Sequence, residues 1–122
     1  MLNEYEVPDY ISTKLPEIEG DLKDIYLPKD IYQSIQVLTD YTKKMVLLND
    51  FKRVGKCLQL GEKIYQKGNT EVKSALKNVF VLSFTCLKLA CTTAEWRTML
   101  SIIPSTLYGL YLRLVRIQEI NQ

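Results

Sequence analysis

Residues 75 to 91 read ALKNVFVLSFTCLKLAC, from Ala75 to Cys91, and no other stretch of the chain is as apolar. Wound at about 100° per residue, Val72, Ala75, Leu76, Val79, Leu82, Cys86, Leu87, Leu89 and Ala90 spread over most of the circumference. Lys73, Ser74, Lys77, Asn78, Thr85 and Lys88 share the narrow remaining arc. A helix apolar nearly all round is either the centre of a globular fold or a membrane span. The run from Val79 to Cys91 is thirteen residues and contains Lys88, well short of the roughly twenty apolar residues that a span needs. The stretch is therefore predicted to be a central packed helix. Val81 and Phe84 project into the lysine arc, so either another segment covers them or they form an exposed patch for a partner. Central helices have neighbours on several sides, which favours cover.

Working outward, the flanking sequence is punctuated as helices. Asp30 lies at the start of a ladder formed by Ile31, Ile35, Leu38, Tyr41, Met45 and Leu48, at the three-and-four spacing of a helix face. Pro28 suits the first position of that helix and Asp30 its first turn. Asn49-Asp50 ends it and caps the next, whose stripe is Phe51, Val54, Leu58, Gly61 and Tyr65 with Cys57 and Ile64 beside it. Gly61 inside that stripe predicts close approach of a neighbouring helix. Lys67-Gly68-Asn69-Thr70 is a stop and restart, with Gly68 closing one helix and Thr70 or Asn69 capping the central one. Thr92 to Glu95 has the capping-box pattern and opens a short helix carrying Trp96, Met99, Leu100 and Ile103. Pro104 stops it. A last helix, capped by Ser105 or Thr106, is predicted to bury Leu107, Leu110, Tyr111, Leu114 and Ile117 and to leave Arg113, Arg116 and Glu119 wet.

No window shows period-two alternation with hairpin turns. The predicted fold is all-α: an irregular bundle of about five main helices in successive antiparallel hairpins, with repeat-like (α-solenoid-like) packing, since short loops force antiparallel neighbours. The 122 residues form one domain, 1–122, large enough to bury roughly two-thirds of its unfolded surface. Residues 1–27 read as an irregular acidic arm, with Val7, Ile11, Leu15, Ile18, Leu22 and Ile25 forming one apolar edge docked on the body. Residues 1 to 30 carry eight carboxylates against Lys14, Lys23 and Lys29, whereas residues 31 to 122 carry six against thirteen bases. The simplest use of that asymmetry is internal, an acidic arm resting on a basic body.

Function is bounded mostly by exclusion. The chain has no histidine, which removes the commonest general base and the commonest metal ligand together. Cys57, Cys86 and Cys91 are odd in number and contain no C-x-x-C pair; they read as reduced thiols and small core hydrophobes in a cytoplasm, with no metal and no cofactor. MLNEYEVPDY is not a secretory signal. Carboxylates beyond the arm are isolated, and Gly55 and Gly61 form no phosphate-cradling loop, so no enzyme is expected. Lys52, Lys56, Lys63 and Lys67 fall within about 60° of one another on their helix. That is the footprint of a nucleic-acid or acidic-partner site or, the favoured reading, a solvated face under the acidic arm. A pI of about 8.4 and the lack of interleaved aromatics make nucleic acid the weaker partner.

Leu15-Pro16-Glu17, Leu27-Pro28, and the run from Lys67-Gly68-Asn69-Thr70-Glu71-Val72 into Val79-Phe80-Val81-Leu82-Ser83-Phe84 together resemble a family of short bacterial all-helical proteins known as a domain of unknown function. The resemblance covers Leu15 to Cys86 and implies the same helical fold and a binding role, immunity-like or accessory. The expectation is a non-catalytic protein that acts by protein–protein interaction, with Lys52, Lys56, Lys63, Lys67, Val81 and Phe84 as its candidate partner surface, no membrane association, and an unspecified oligomeric state.

Overall fold

Side-chain caps start four of the helices. In the computed structural model, which describes residues 1–23 and 30–120, the Asp30 carboxylate accepts from the amides of Tyr32 and Gln33. Asp30 is thus the N-cap of its helix and not a first-turn residue; Pro28 and Ile25 lie outside the described residues. Asp50 accepts from Arg53 N–H, Asn69 from Val72 N–H, and Thr92 from Glu95 N–H. The Glu95 carboxylate returns to Thr92 N–H at 2.8 Å, completing the capping box. Each cap satisfies an amide that the helix itself leaves without a partner.

The elements are α1 (Val7–Lys14), a 3-10 turn (Pro16–Ile18), α2 (Glu19–Lys23), α3 (Ile31–Leu47), α4 (Phe51–Lys67), α5 (Thr70–Ala75), a π-helical segment (Leu76–Val81), α6 (Ser83–Ala90), α7 (Thr93–Ile102) and α8 (Ser105–Ile120). No strand occurs among the described residues, and the fold is all-α. Its main helices are α3, α4, the α5-to-α6 run, α7 and α8.

α3 ends in a left-handed residue, Asn49, at φ 57°. Asp50 N–H bonds Met45 O and Asn49 N–H bonds Val46 O, the paired bonds of a Schellman motif. This tight reversal sets α4 back along α3. It also leaves Leu48, expected in the core ladder, 63% exposed at the turn.

The N-terminal residues are held at two points. Leu2 forms an isolated parallel bridge with Gly68, donating to Lys67 O and accepting from Asn69 N–H. Val7, Ile11, Leu15, Ile18 and Leu22 are all buried, and Tyr41 of α3 donates to Glu17 Oε2 at 2.8 Å. Gly68 closes α4 in an extended conformation, φ −72°, so backbone handedness does not explain the glycine. Space does: a β-carbon there would meet Val72 Cγ1 at 2.6 Å and Ile64 O at 2.8 Å.

The core runs from α1 to α8 around Phe80 and Phe84, whose rings meet edge-on at 5.5 Å between centroids. Phe84 continues to Tyr111 of α8, and Tyr111 to Trp96 of α7. Gly61 admits the Phe80 ring against the α4 backbone, as its place in the stripe predicted. Glu62 is the exception on that helix: it is buried, and its Oε1 has no hydrogen-bond partner. Ile117, expected in the core, is 54% exposed near the end of α8.

Candidate functional site

The central stretch departs from the sequence projection because it is not uniformly α-helical. Leu82 N–H bonds the carbonyl of Lys77, five residues back, the spacing that defines a π turn. One such turn holds one extra residue, so every side chain after it is displaced by one position, about 100°, around the axis. Val81 and Phe84, projected into the lysine arc, are instead fully buried. They are not a partner surface. Their cover includes Tyr111 of α8, as the Phe84 ring contact shows.

The same displacement turns other apolar residues outward. Leu82 is 36% and Leu89 is 89% exposed, and Cys86 between them is exposed as well. A constant-angle projection puts all three in the apolar face, with Cys86 a core hydrophobe; neither holds. At positions 82, 86 and 89 they form a stripe along one side of α6, with half-buried Val79 continuing it backward. Beside the stripe runs an open groove of about 410 Å³, walled by Gln36, Thr39 and Lys43 of α3 and by Asn78, Leu82 and Cys86 across from them. Its polar atoms are partly engaged locally: Thr39 donates to Ile35 O, Ser83 to Phe80 O and Thr85 to Leu82 O.

On α4, Lys52, Lys56, Lys63 and Lys67 are all exposed on one side, so the structure does bring them together. The face is not bare. The Nζ of Lys67 stands 5.4 Å from the centroid of the Tyr10 ring, which Lys14 also approaches at 5.9 Å; each contact is worth about 0.5–1 kcal/mol at an exposed site. At the other end of the face, Lys56 and Arg53 act on Glu17 of the N-terminal segment. The Glu17 carboxyl is held below its ordinary value first by a backbone hydrogen bond, then by the Tyr41 hydroxyl, with Lys56 and Arg53 adding to it.

A second depression, about 420 Å³, is lined by Glu17, Asp21, Asp40, Tyr41 and Lys44. It gathers carboxylates from separate segments, a juxtaposition that no local spacing announces. The downward shift of Glu17 keeps that carboxyl ionised, the opposite of the tuning that makes a general acid. Among the described residues, no group of three or more Cys, Asp or Glu is placed to hold a metal ion. Nor is any helix among them long and apolar enough to cross a membrane. Of the thiols, Cys57 is buried and pushed up to about 11, chiefly by desolvation. Desolvation also raises Cys91, with Glu95 adding to it. Neither is tuned as a nucleophile.

The family profile of DUF7674, a domain of unknown function, matches residues 8–119. The chain belongs to this family. The match takes in the N-terminal helices, the α3–α4 hairpin, the π-interrupted central run and nearly all of α8. No curated protein and no solved structure matches it significantly.

Proposed function

We propose that this member of the DUF7674 family is a non-catalytic helical protein that acts by binding another protein, in the manner of an immunity or accessory factor. The observation that carries the reading is the stripe Leu82, Cys86, Leu89, which stays open to water along α6 while Val81, Ser83, Phe84 and Leu87 of the same helical run are buried. Contiguous exposed apolar side chains beside a groove are what a partner surface supplies. A reducing bacterial cytoplasm suits a chain with three free thiols, one of them exposed.

The test is capture from the native host followed by reconstitution from purified components. A stoichiometric complex that survives purification is the expected result. If no captured protein re-forms a complex with the purified chain, the reading falls.

A second reading rests on the shared exposure of Lys52, Lys56, Lys63 and Lys67: an acidic partner or nucleic acid held on α4. It requires affinity that drops steeply with salt and disappears when Lys52 and Lys63 are replaced by glutamate. Salt-independent binding, or none to DNA or RNA at low salt, excludes it for nucleic acid.

A further inference from the structure

The groove between α3 and α6 has a definite chemical character. From Tyr41 to Asn49 and from Val72 to Thr93 the chain contains no carboxylate, yet these stretches hold Lys43, Lys44, Lys73, Lys77 and Lys88. Lys43 lines the groove on the α3 side, and Lys88 stands exposed next to Leu89 on the far flank of α6. Neither is ion-paired among the described residues, where the salt bridges are Lys23–Glu19 and Arg53–Asp50. The nearest acid on the α3 side, Asp40, accepts from the Gln36 amide at 2.8 Å. The apolar strip is thus flanked by Lys43 and Lys88, which form no ion pair among the described residues.

We propose that this groove receives an amphipathic helix of a partner protein, its apolar edge on Leu82, Cys86 and Leu89 and its flanking carboxylates against Lys43 and Lys88. The proposal rests on the protein-binding function above and specifies the partner's chemistry. From Val79 to Leu89 the strip runs about 15 Å, or some three turns, which matches anchors at i, i+4 and i+7 on an incoming helix. A second copy of the chain does not supply that element from its described residues. Its acidic segment, α1 and α2, has its apolar side buried in its own core. The exposed side of α8, with Tyr108, Leu112 and Ile117, carries Arg113 and Arg116, the wrong sign for this groove. A lipid surface is met by a continuous apolar helix face, whereas Thr39, Asn78 and Ser83 interrupt this one with polar groups.

The full chain is titrated with a helix-stabilised synthetic peptide of about twelve residues, with leucines at i, i+4 and i+7 and glutamates on both flanks, and its amide resonances are followed by NMR. A second peptide has lysine in place of every glutamate. Saturable shifts are expected at Gln36, Thr39, Lys43, Leu82 and Cys86, with at least about tenfold preference for the acidic peptide. Leu89→Asp, at a site too exposed to disturb the core, should lose about tenfold in affinity. The pair Lys43→Glu and Lys88→Glu should reverse the preference. Shifts confined to α4, equal affinity for the two peptides, or no shifts at all would overturn the proposal. So would recruitment of the chain to phosphatidylglycerol vesicles in place of peptide binding, or self-association abolished by Leu89→Asp. A captured native partner that binds Leu89→Asp and the lysine pair variant as tightly as the parent overturns the groove and leaves the protein-binding function standing. Loss of any reconstitutable partner overturns both.

Discussion

A β-carbon built on Gly61 would stand 2.6 Å from Cε2 of Phe80. The ring is fully buried and held edge-on by Phe84, so it has nowhere to retreat. Gly61→Ala gains about 1 kcal/mol of helix propensity in α4 and loses about 1–3 kcal/mol through overpacking. The expected net is destabilisation of about 1 kcal/mol, read by chemical denaturation. Against Phe80→Leu, which opens room, the same substitution should cost markedly less, giving a coupling that a double-mutant cycle measures.

Glu62 should prove a liability. Its side chain is buried on α4 and Oε1 finds no partner, and an unsatisfied buried polar group costs about 1–3 kcal/mol. Glu62→Met keeps the length and removes the polar atoms. The variant is expected to be more stable than the parent by about 1 kcal/mol, visible as a higher denaturant midpoint with unchanged slope.

The capping box of α7 is testable in isolation from the core. Thr92→Ala removes the acceptor of Glu95 N–H and should cost about 1 kcal/mol, whereas Thr92→Ser should retain most of the stability. Equal losses in both variants would show that the methyl and not the hydroxyl matters.

Attachment of the N-terminal segment depends on pH at both extremes. Glu17 has a lowered carboxyl, so its contribution is complete above the ordinary value of 4.5 and is lost as pH falls through the lower folded value. Tyr41 is raised, by burial first and then by its bond to Glu17. Its contribution is therefore complete below the ordinary value of 10.0 and is lost as pH rises through the higher folded one. Tyr41→Phe should flatten the acid limb in part, since the backbone hydrogen bond that lowers Glu17 most is retained; hydrogen exchange of the α1 amides reads it. An unaltered limb would assign it to the backbone hydrogen bond of Glu17 and not to the Tyr41 hydroxyl.

The three thiols should separate cleanly by reactivity. Cys86 is exposed, Cys57 is buried with its thiol at about 11, and Cys91 is half-buried with its thiol raised. Because thiolate and access govern alkylation, mass spectrometry after brief iodoacetamide treatment should find Cys86 modified first and Cys57 only after unfolding. A partner seated in the α3–α6 groove should protect Cys86.

The parts of this molecule legible in the sequence are those encoded locally. Asp50, Thr92 with Glu95, and the stop at Gly68-Asn69 announce helix ends through side chains a few residues from the amides they satisfy. Gly61 announces a close neighbour because glycine inside an apolar stripe has little other use. What stayed hidden depends on geometry that accumulates. A projection at constant angle per residue assigns Val81 and Phe84 to water and Leu82 and Leu89 to the core, and one π turn between Leu76 and Val81 inverts both assignments. Composition gives no sign of that turn. Leu48 and Ile117 were misplaced for a simpler reason: each continues a periodic ladder past the point where a partner helix is there to cover it.

That single turn behaves like a frameshift written in three dimensions. The turn absorbs one extra residue between Leu76 and Val81, so which side of α6 is private and which is public is set by how the run winds as well as by the kind of its residues. Deleting Asn78 would remove the extra residue and the π turn together: Val72, Ala75, Leu76, Phe80, Val81, Phe84 and Leu87 would then fall in one unbroken three-and-four register, with Val81 and Phe84 still inside and Leu82 and Leu89 still outside. Every substitution preserves the count of residues that the turn absorbs; only a deletion or an insertion changes whether the turn is needed.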